Sequence, residues 1–430
     1  MTTLAVGRTS GMLVDLMGRM DDTLTLAIQG YGWLPNRLRH SPDDVVRTRL
    51  LGQTTVALRG PDAARFFYDE QHIRRHGAIP EPLRGTLFGK GAVHTLDGEP
   101  HRVRKAMFTA LLMNGGYDGL VERADTAWDA ATRSWAGRQV VLFDETAPVL
   151  ARAVCEWTGI PVQPQDLPAL AADLVAMVDG FATAGPRHWR ARRARGRRER
   201  WLADIVTQLR RGELDVPPGA ALAVVAEHRD SDGELLDPRI AAVELLNIIR
   251  PTVAVTWFVT FAGHALHRWP EHRDRLRQGD TVFAEAFAHE VRRFYPFAPF
   301  IGGRARTDLT WRGVDIPAGA IVLLDLYGQN HDARLWPDPY RFDPDRFVGR
   351  EIGAFDLVPQ GGGDPRTGHR CPGEQITVAL LKALAVRLAR LDHQVPAQDL
   401  DIPLHRIPTR PVSGLVMAVP ARSAAPLATH

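Results

Sequence analysis

The chain has 430 residues, of which 45% are hydrophobic and 24% are charged, and its formal net charge is +3. This composition is that of an ordinary globular protein, and the small positive excess argues against a chain dedicated to binding polyanions. Two cysteines, Cys155 and Cys371, are too few for a disulfide framework, so we expect a reducing, cytoplasmic compartment.

The predicted elements are mostly helices. Helical periodicity appears in DAARFFYDEQ, HRVRKAMFTALLM and LPALAADLVAMVDGFATA, and the first 22 residues lack the apolar core of a secretory signal. A long helix starts at Asp237-Pro238 and reaches Pro270, and FAEAFAHEVRRFY predicts another. TTVALRG, WRGVDIPAGAIVLLDLYG and SGLVMAVP predict short strands. The expected fold class is mainly α with a minor β region, in one domain over residues 1–430 with a disordered tail from about residue 422.

An arginine-rich stretch, PRHWRARRARGRRERW, lies before the long helix. Its arginines are Arg187, Arg190, Arg192, Arg193, Arg195, Arg197, Arg198 and Arg200. Such a run is usually a solvated helix face, although it can also bind nucleic acid. The low net charge argues against nucleic acid, so we expect no nucleic-acid partner and interpret the run as a solvated face.

Arg250 and Pro251 interrupt the apolar sequence LLNIIRPTVAVTW of the long helix. A buried arginine is costly unless it is paired, and a proline inside a helix removes a backbone hydrogen bond. Two unfavourable residues side by side indicate a functional site, although Arg250 could instead pair with an internal carboxylate. The apolar run after Arg250 is too short to span a bilayer, so we expect no integral membrane segment.

Two further motifs follow the long helix. Glu290 and Arg293 form E-x-x-R in AHEVRRFYPF, where a spacing of three residues allows them to pair on one helix face. Cys371 lies in PQGGGDPRTGHRCPGE, where Pro372 predicts the first position of a helix and the positive helix end favours a thiolate. One lone thiolate suits a haem iron, whereas a zinc site needs more ligands. By itself, Cys371 could also be an inert loop cysteine, and Cys155 is interpreted as core.

In this order and spacing, E-x-x-R, the segment HDARLWPDPYRFDPDRF and H-R-C-P-G before a helix resemble cytochrome P-450. The resemblance covers nearly the whole chain and implies a single haem-thiolate domain, with haem b bound between the long central helix and the cysteine loop. It also implies that Cys371 is the axial ligand of the haem iron. Glu290, Arg293 and Arg346 would then form a structural ion-pair triad.

The chain departs from the common family pattern at two places. Asp364 replaces the usual phenylalanine seven residues before the cysteine, and Arg250-Pro251 replaces the acid and threonine that deliver protons to dioxygen. Both departures are similar to the bacterial fatty acid peroxygenases, as are VELLNIIRP and LLDLYGQNHDARLW. The resemblance implies oxidation of long-chain fatty acids at the α or β carbon by hydrogen peroxide, or decarboxylation to terminal alkenes, without an obligatory redox partner. The substrate carboxylate, held by Arg250, would supply the missing acid–base group.

The same resemblance assigns the remaining site residues. Pro251 and His94 join Arg250 as catalytic residues, and Phe88, Phe297 and Phe300 join it in binding substrate. The expected haem-propionate partners are Arg75, His101, Lys105 and His369. Apart from the resemblance, His94 is a plain loop histidine and the two downstream phenylalanines fit core packing equally well.

Three alternatives remain open from the sequence. The nearest is a conventional cytochrome P-450 monooxygenase that depends on a redox partner. A second is a non-catalytic haem- or lipid-binding protein, and the most distant is a basic nucleic-acid module.

Overall fold

A computed structural model describes residues 21–41, 43–113 and 115–421 of the chain. The helices, numbered in chain order, are α1 (Thr23–Gln29), α2 (Trp33–Leu38), α3 (Pro61–Tyr68), α4 (Glu81–Leu83), α5 (Gly98–Leu112), α6 (Asp118–Trp135), α7 (Leu142–Thr158), α8 (Leu167–Asp179), α9 (Pro186–Arg210), α10 (Ala221–Glu227), α11 (Pro238–Arg268), α12 (Glu271–Arg277), α13 (Thr281–Phe294), α14 (Leu326–Asn330) and α15 (Glu374–Arg390). The strands are β1 (Val45–Leu50), β2 (Gln53–Leu58), β3 (Ile73–Arg74), β4 (Gln139–Val141), β5 (Phe300–Ala305), β6 (Leu309–Trp311), β7 (Val314–Ile316), β8 (Ile321–Asp325) and β9 (Val416–Ala418). The mainly α fold class is therefore confirmed. The single-domain organisation stays a prediction, and the tail from residue 422 lies outside the described residues.

The largest sheet has five strands in the order β1-β2-β8-β5-β3. β2 and β8 pair in parallel, and the other neighbours pair antiparallel. The predicted strand segments are confirmed as β2, β7 with β8, and β9. The end of the middle segment instead forms α14, because the Asp325 side chain caps that helix by accepting from the Gly328 amide (2.8 Å).

Helix α11 is the centre of the helical core. The Asp237 carboxylate caps it by accepting from the Arg239 amide (2.8 Å), and Pro238 occupies the first turn, as predicted. The helix packs against α7, α8, α9 and α15. Its length and composition would allow it to cross a membrane, but 94% of its most apolar window is buried within the protein. α11 is therefore a helix of the protein core.

One position of α11 differs from its surroundings. Between residues 241 and 263 every residue is buried except Pro251, which is exposed. An exposed position in the middle of a buried helix faces an opening inside the fold. Pro251 therefore marks the side of α11 on which a ligand can lie.

Candidate functional site

The loop that carries Cys371 is held by Gln360. The Cys371 amide donates to the Gln360 carbonyl oxygen (3.1 Å), and Gln360 Nε2 lies 4.0 Å from the Cys371 sulfur. The prediction that Pro372 is the first helical residue was wrong, because α15 begins at Glu374. Gly373, with φ −87° and ψ 13°, still belongs to the loop and serves as the N-cap. The sulfur therefore lies beside the start of the helix rather than within its first turn.

The protein environment by itself does not favour a thiolate at Cys371. Burial raises the pKa of this thiol, and this effect exceeds the opposing influence of Lys105 and of the Gly373 amide. The Gly373 amide at the start of the helix does favour the thiolate, as expected, but desolvation by burial outweighs it. A coordinated metal ion deprotonates a thiol directly, so this environment remains suitable for a metal ligand.

The predicted triad around Glu290 is present in the structure. Arg293 donates from Nε to Glu290 Oε2 (2.7 Å) and from a terminal nitrogen to Oε1 (2.8 Å), and Arg346 Nε lies 3.3 Å from the same carboxylate. Glu290 and Arg293 are fully buried. Breaking a buried pair of this kind by removing one partner costs about 3–5 kcal/mol, so the triad is a structural anchor for α13.

A second ion-pair network ties α13 to the cysteine loop. Arg292 Nε donates to Gln360 Oε1 (3.1 Å), and the Arg292 guanidinium also pairs with Glu374 at the start of α15. Glu374 accepts a further hydrogen bond from Arg370 (2.7 Å). The residues on both sides of Cys371 are thus fixed to α13, and none of these contacts was predicted from the sequence.

The four expected propionate partners lie near one another. The rings of His101 and His369 stack with their centroids 3.9 Å apart, and Arg75 is buried with its guanidinium 4.2 Å from the centre of the Phe67 ring. Lys105 Nζ donates to the carbonyl of Arg370 (2.6 Å), next to the cysteine, and its role toward a propionate stays a prediction. Lys105 therefore braces the cysteine loop in this structure.

The buried nitrogens of this cluster fit the edge of a haem group. Arg75 Nε, His101 Nδ1 and His369 Nε2 are buried without a hydrogen-bond partner in the part of the chain that the structure describes. The nearest carboxylates are Glu70, 3.7 Å from both histidines, and Asp97, 3.8 Å from His369. Buried donors are nearly always satisfied, so this set calls for an acceptor such as a pair of propionates. Together with a single nearby thiol, these donors suit haem.

Arg250 is buried in α11 with little to satisfy its charge. It is 6% exposed, its terminal nitrogen donates to Asn247 Oδ1 (3.1 Å), and its Nε is buried without a partner. Burial and, to a smaller extent, the charge of nearby Arg195 lower the pKa of Arg250 to about 9, against a small opposing effect of Cys371. Among the described residues no ion pair joins Arg250 to a carboxylate, so the alternative of an internal partner is not what the structure shows.

Phe88 and His94 lie together next to Arg250. Their ring centroids are 5.0 Å apart, and the Phe88 carbonyl accepts hydrogen bonds from Asn247 (3.3 Å) and Arg195 (3.0 Å). Burial and the charge of Arg250 lower the pKa of His94 to about 3. His94 is therefore a neutral imidazole at physiological pH.

Phe297 and Phe300 are both partly buried, and both contact the aromatic core. The Phe297 ring lies 5.0 Å from that of Phe258, and its carbonyl accepts from the Tyr31 hydroxyl (2.6 Å). Phe300, in β5, lies 6.0 Å from the Trp33 ring. These contacts show core packing, and a substrate contact of either ring stays a prediction.

The arginine-rich stretch forms α9, and much of it is paired internally. The arginines in ion pairs with carboxylates are Arg187, Arg192, Arg195, Arg197 and Arg198. Arg195 is 2% exposed and donates to the carbonyls of Leu87 and Phe88. The interpretation as a solvated face was therefore wrong for the buried Arg195, whereas the exposed arginines follow it: Arg190, Arg193, Arg197 and Arg200. Cys155, by contrast, is buried in α7 as expected.

The polar partners of Arg250 were not predicted from the sequence. Glu244, Asn247 and Arg250 follow one another at intervals of three residues in α11, a spacing that places them on one side of the helix. This regular polar series within an apolar helix was a usable signal. Arg104 and Arg195 left no such signal, because they approach the site from other helices.

The family comparisons agree with this site. The sequence model of cytochrome P450 matches residues 277–416. Curated relatives include "Cytochrome P450 4e5, mitochondrial" of Drosophila mettleri, 31% identical over 160 residues, which is 33% of this chain and 30% of the relative. "Cytochrome P450 4A11" of Homo sapiens is 29% identical over 181 residues, 37% of this chain and 33% of the relative. The chain thus spans about a third of the length of these relatives.

Solved structures match over almost the whole chain. A mutant of cytochrome P450SP alpha (CYP152B1) has a TM-score of 0.90 and 41% identity, over 93% of this chain and 98% of that one. Cytochrome P450EX alpha (CYP152N1) with myristic acid has a TM-score of 0.88 and 37% identity, over 93% and 97%. A variant of cytochrome P450 OleT in complex with arachidonic acid has a TM-score of 0.90 and 36% identity, over 94% and 99%. The chain therefore belongs to the cytochrome P450 family, in the branch represented by these CYP152 structures, and its cofactor is haem b.

Proposed function

We propose that the protein is a haem-thiolate peroxygenase that uses hydrogen peroxide to hydroxylate long-chain fatty acids at the α or β carbon, to decarboxylate them to terminal alkenes, or both. The observation that carries this proposal is the buried guanidinium of Arg250, which has an unpartnered Nε and no carboxylate partner among the described residues. A ligand that brings its own carboxylate would satisfy it. The relatives solved with myristic and arachidonic acid support the same substrate class.

Cys371 would hold the haem iron through its sulfur. Arg75, His101 and His369 would offer their buried nitrogens to the propionates, with Lys105 acting at the cysteine loop or at a propionate. Haem bound through a thiolate supplies electron density that favours cleavage of an O–O bond.

We assign Arg250 two roles, in binding the substrate and in placing the acid–base group. Its planar, permanently charged group binds the fatty acid carboxylate and so places the α and β carbons beside the haem. The bound carboxylate then serves as the acid–base group that takes a proton from one peroxide oxygen and returns it to the other. This role explains why a catalytic acid is missing from α11, since the substrate carries one.

Pro251 and the neighbouring aromatic residues shape the same site. Pro251 removes a backbone donor from α11 at its one exposed position between residues 241 and 263, so that the helix can be locally distorted beside the haem. Phe88 and the neutral His94 would orient the head group, and Phe297 and Phe300 would line the path of the acyl chain. We place the protein in the cytoplasm, with no obligatory redox partner and no nucleic-acid partner.

The test is turnover of a saturated fatty acid by the haem-loaded protein. Myristic acid and hydrogen peroxide, without any reductase, should yield α- and β-hydroxy acids or the terminal alkene, as identified by mass spectrometry. Turnover only with ferredoxin, its reductase and NADPH would instead identify a conventional monooxygenase. A fatty-acid-induced change in the haem spectrum without product under either condition would identify a non-catalytic haem protein.

A further inference from the structure

A buried carboxylate, Glu244, joins the separate parts of the site described above. It is fully buried in α11, one and two turns before Asn247 and Arg250. Glu244 Oε1 accepts from the backbone amide of Val93 (2.8 Å) and from Arg104 of α5 (2.8 Å). Its other oxygen, Oε2, accepts from Asn247 Nδ2 (3.0 Å). One side chain thus contacts the loop before His94, helix α5 and the partner of Arg250.

Arg104 holds this carboxylate in place. Arg104 is 3% exposed and donates from the same nitrogen to Glu244 and to the carbonyl of Gly91 (3.0 Å), and it also pairs with Asp230. Gly91 and Val93 belong to the segment that carries His94, so Arg104 and Glu244 fix that segment to α11 from two sides. A charge-assisted buried network of this kind is rigid when every member is satisfied.

The contacts of Asn247 link Glu244 to the proposed substrate site. A carboxylate only accepts hydrogen bonds, so Asn247 must turn its amino group toward Glu244. Its Nδ2 then also reaches the Phe88 carbonyl (3.3 Å), and its Oδ1 faces Arg250 and accepts from it (3.1 Å). The reverse amide orientation would present a donor to the Arg250 guanidinium and an acceptor oxygen to the Glu244 carboxylate and the Phe88 carbonyl. Glu244, as the charged and nearer of the two acceptors, therefore selects together with the Phe88 carbonyl the orientation of Asn247 that can hold Arg250.

We propose that Glu244, held in place by Arg104, is a positioning residue that fixes the orientation of the Asn247 amide. Asn247 in turn orients the Arg250 guanidinium toward the fatty acid carboxylate. The same carboxylate of Glu244 fixes the position of the Val93–His94 segment relative to Arg250. This inference rests on the proposed function, since it assigns the geometry by which that site recognises a carboxylate. Glu244 itself touches neither substrate nor haem in this account.

The test compares two ligands that differ only in the head group. Dissociation constants of myristic acid and 1-tetradecanol are measured on the haem-loaded protein from the ligand-induced change in its absorption spectrum. Glu244→Gln keeps the side-chain shape but can also donate, so the charged acceptor for the Asn247 amino group is lost and only the longer contact with the Phe88 carbonyl (3.3 Å) remains on that side of the amide. We expect the dissociation constant of myristic acid to rise about 10- to 100-fold, since small displacements of positioning groups have effects of this size, with that of 1-tetradecanol unchanged.

Two further variants make the result specific. Asn247→Leu removes the acceptor for Arg250 directly and should give the same selective loss of affinity for myristic acid. Combining it with Glu244→Gln should add little, because both act through one amide.

Asp44→Asn is the matched control. Asp44 is also buried and pairs with Arg59 and Arg334, outside this network, so neither dissociation constant should change. Thermal unfolding and the spectrum of the reduced carbon monoxide complex report whether each variant is folded and loaded.

The outcomes separate this proposal from the function on which it rests. If Glu244→Gln raises the dissociation constants of myristic acid and 1-tetradecanol equally, or changes neither, the positioning role of Glu244 is overturned. The proposed function is unaffected in that case, provided that the wild type still binds the acid more tightly than the alcohol. If the wild type binds 1-tetradecanol as tightly as myristic acid, the proposed function fails and the positioning role fails with it. If Glu244→Gln does not yield folded protein, Asn247→Leu tests the proposal by itself. An unchanged preference of Asn247→Leu for myristic acid over 1-tetradecanol would then overturn the proposal.

Discussion

Replacing Arg250 with alanine should nearly abolish fatty acid turnover. The wild-type guanidinium is 6% exposed and donates to Asn247, while its Nε is buried without a partner, so a bound carboxylate would gain a desolvated, charge-assisted pair. Losing such a pair weakens binding by about 2–5 kcal/mol. This corresponds to an increase in the dissociation constant of roughly 30-fold to several thousand-fold.

The same arginine should make the ligand-free protein less stable. Burial lowers the pKa of Arg250 from 12.5 to about 9, which corresponds to roughly 5 kcal/mol of unfavourable burial as an order of magnitude. Arg250→Met fills a similar volume without the charge and should therefore raise the unfolding temperature of the ligand-free protein, while a saturating fatty acid should stabilise only the wild type.

The assay combines a spectral titration with myristic acid and product analysis under peroxide. Arg250→Lys should recover only part of the affinity and activity, because a point charge replaces a planar fork. If Arg250→Ala kept most of the wild-type affinity and activity, the substrate-assisted mechanism would be wrong.

Three further predictions concern the ligand cysteine, the product ratio and pH. Cys371→Ser should abolish the thiolate-type spectrum of the reduced carbon monoxide complex, and an unchanged spectrum would contradict the assignment of the axial ligand. His94→Gln should shift the products of a saturated fatty acid at limiting peroxide from terminal alkene toward hydroxy acids; an identical ratio, or no alkene from the wild type, would remove the role of His94 alone. Burial lowers the pKa values of His264 and His331 to about 4, so between pH 6.5 and 4 the unfolded chain binds protons that the folded protein does not. The free energy of unfolding should therefore decrease as the pH is lowered from 6.5 to 4, by roughly 1.4 kcal/mol per pH unit for each histidine. His331→Gln should reduce this dependence of the unfolding free energy on pH, as measured by denaturant titration at several pH values.

Local spacing was enough to predict the anchors of the fold. The pairing of Glu290 with Arg293 follows from one turn of helix, and the start of α11 follows from the Asp237-Pro238 cap, because both depend on residues that are neighbours in the chain. The start of α15 was missed by two residues, because Gly373 keeps the loop conformation after Pro372. Such details depend on how the loop is held at Gln360.

The electrostatic properties of the site depend on tertiary structure and could not be predicted. Arg104 and Glu244 are separated by 140 positions in the chain yet form a direct ion pair. The neutral state of His94 and the raised pKa of the Cys371 thiol both follow from burial, which no local pattern in the sequence indicates. The anomaly at Arg250 was visible in the sequence, but the absence of an ion-pair partner among the described residues was not.

The proposed mechanism requires that a carboxylate held by Arg250 supplies the acid–base group for peroxide cleavage. Its most direct test supplies this carboxylate separately from the substrate. The haem-loaded protein is given hydrogen peroxide and a substrate that lacks a carboxylate, with and without a short carboxylic acid, and product formation is measured in the wild type and in Arg250→Ala. Product that appears only with the added acid, and only in the wild type, is the predicted result. Equal product without the acid, or equal stimulation of Arg250→Ala, would contradict it.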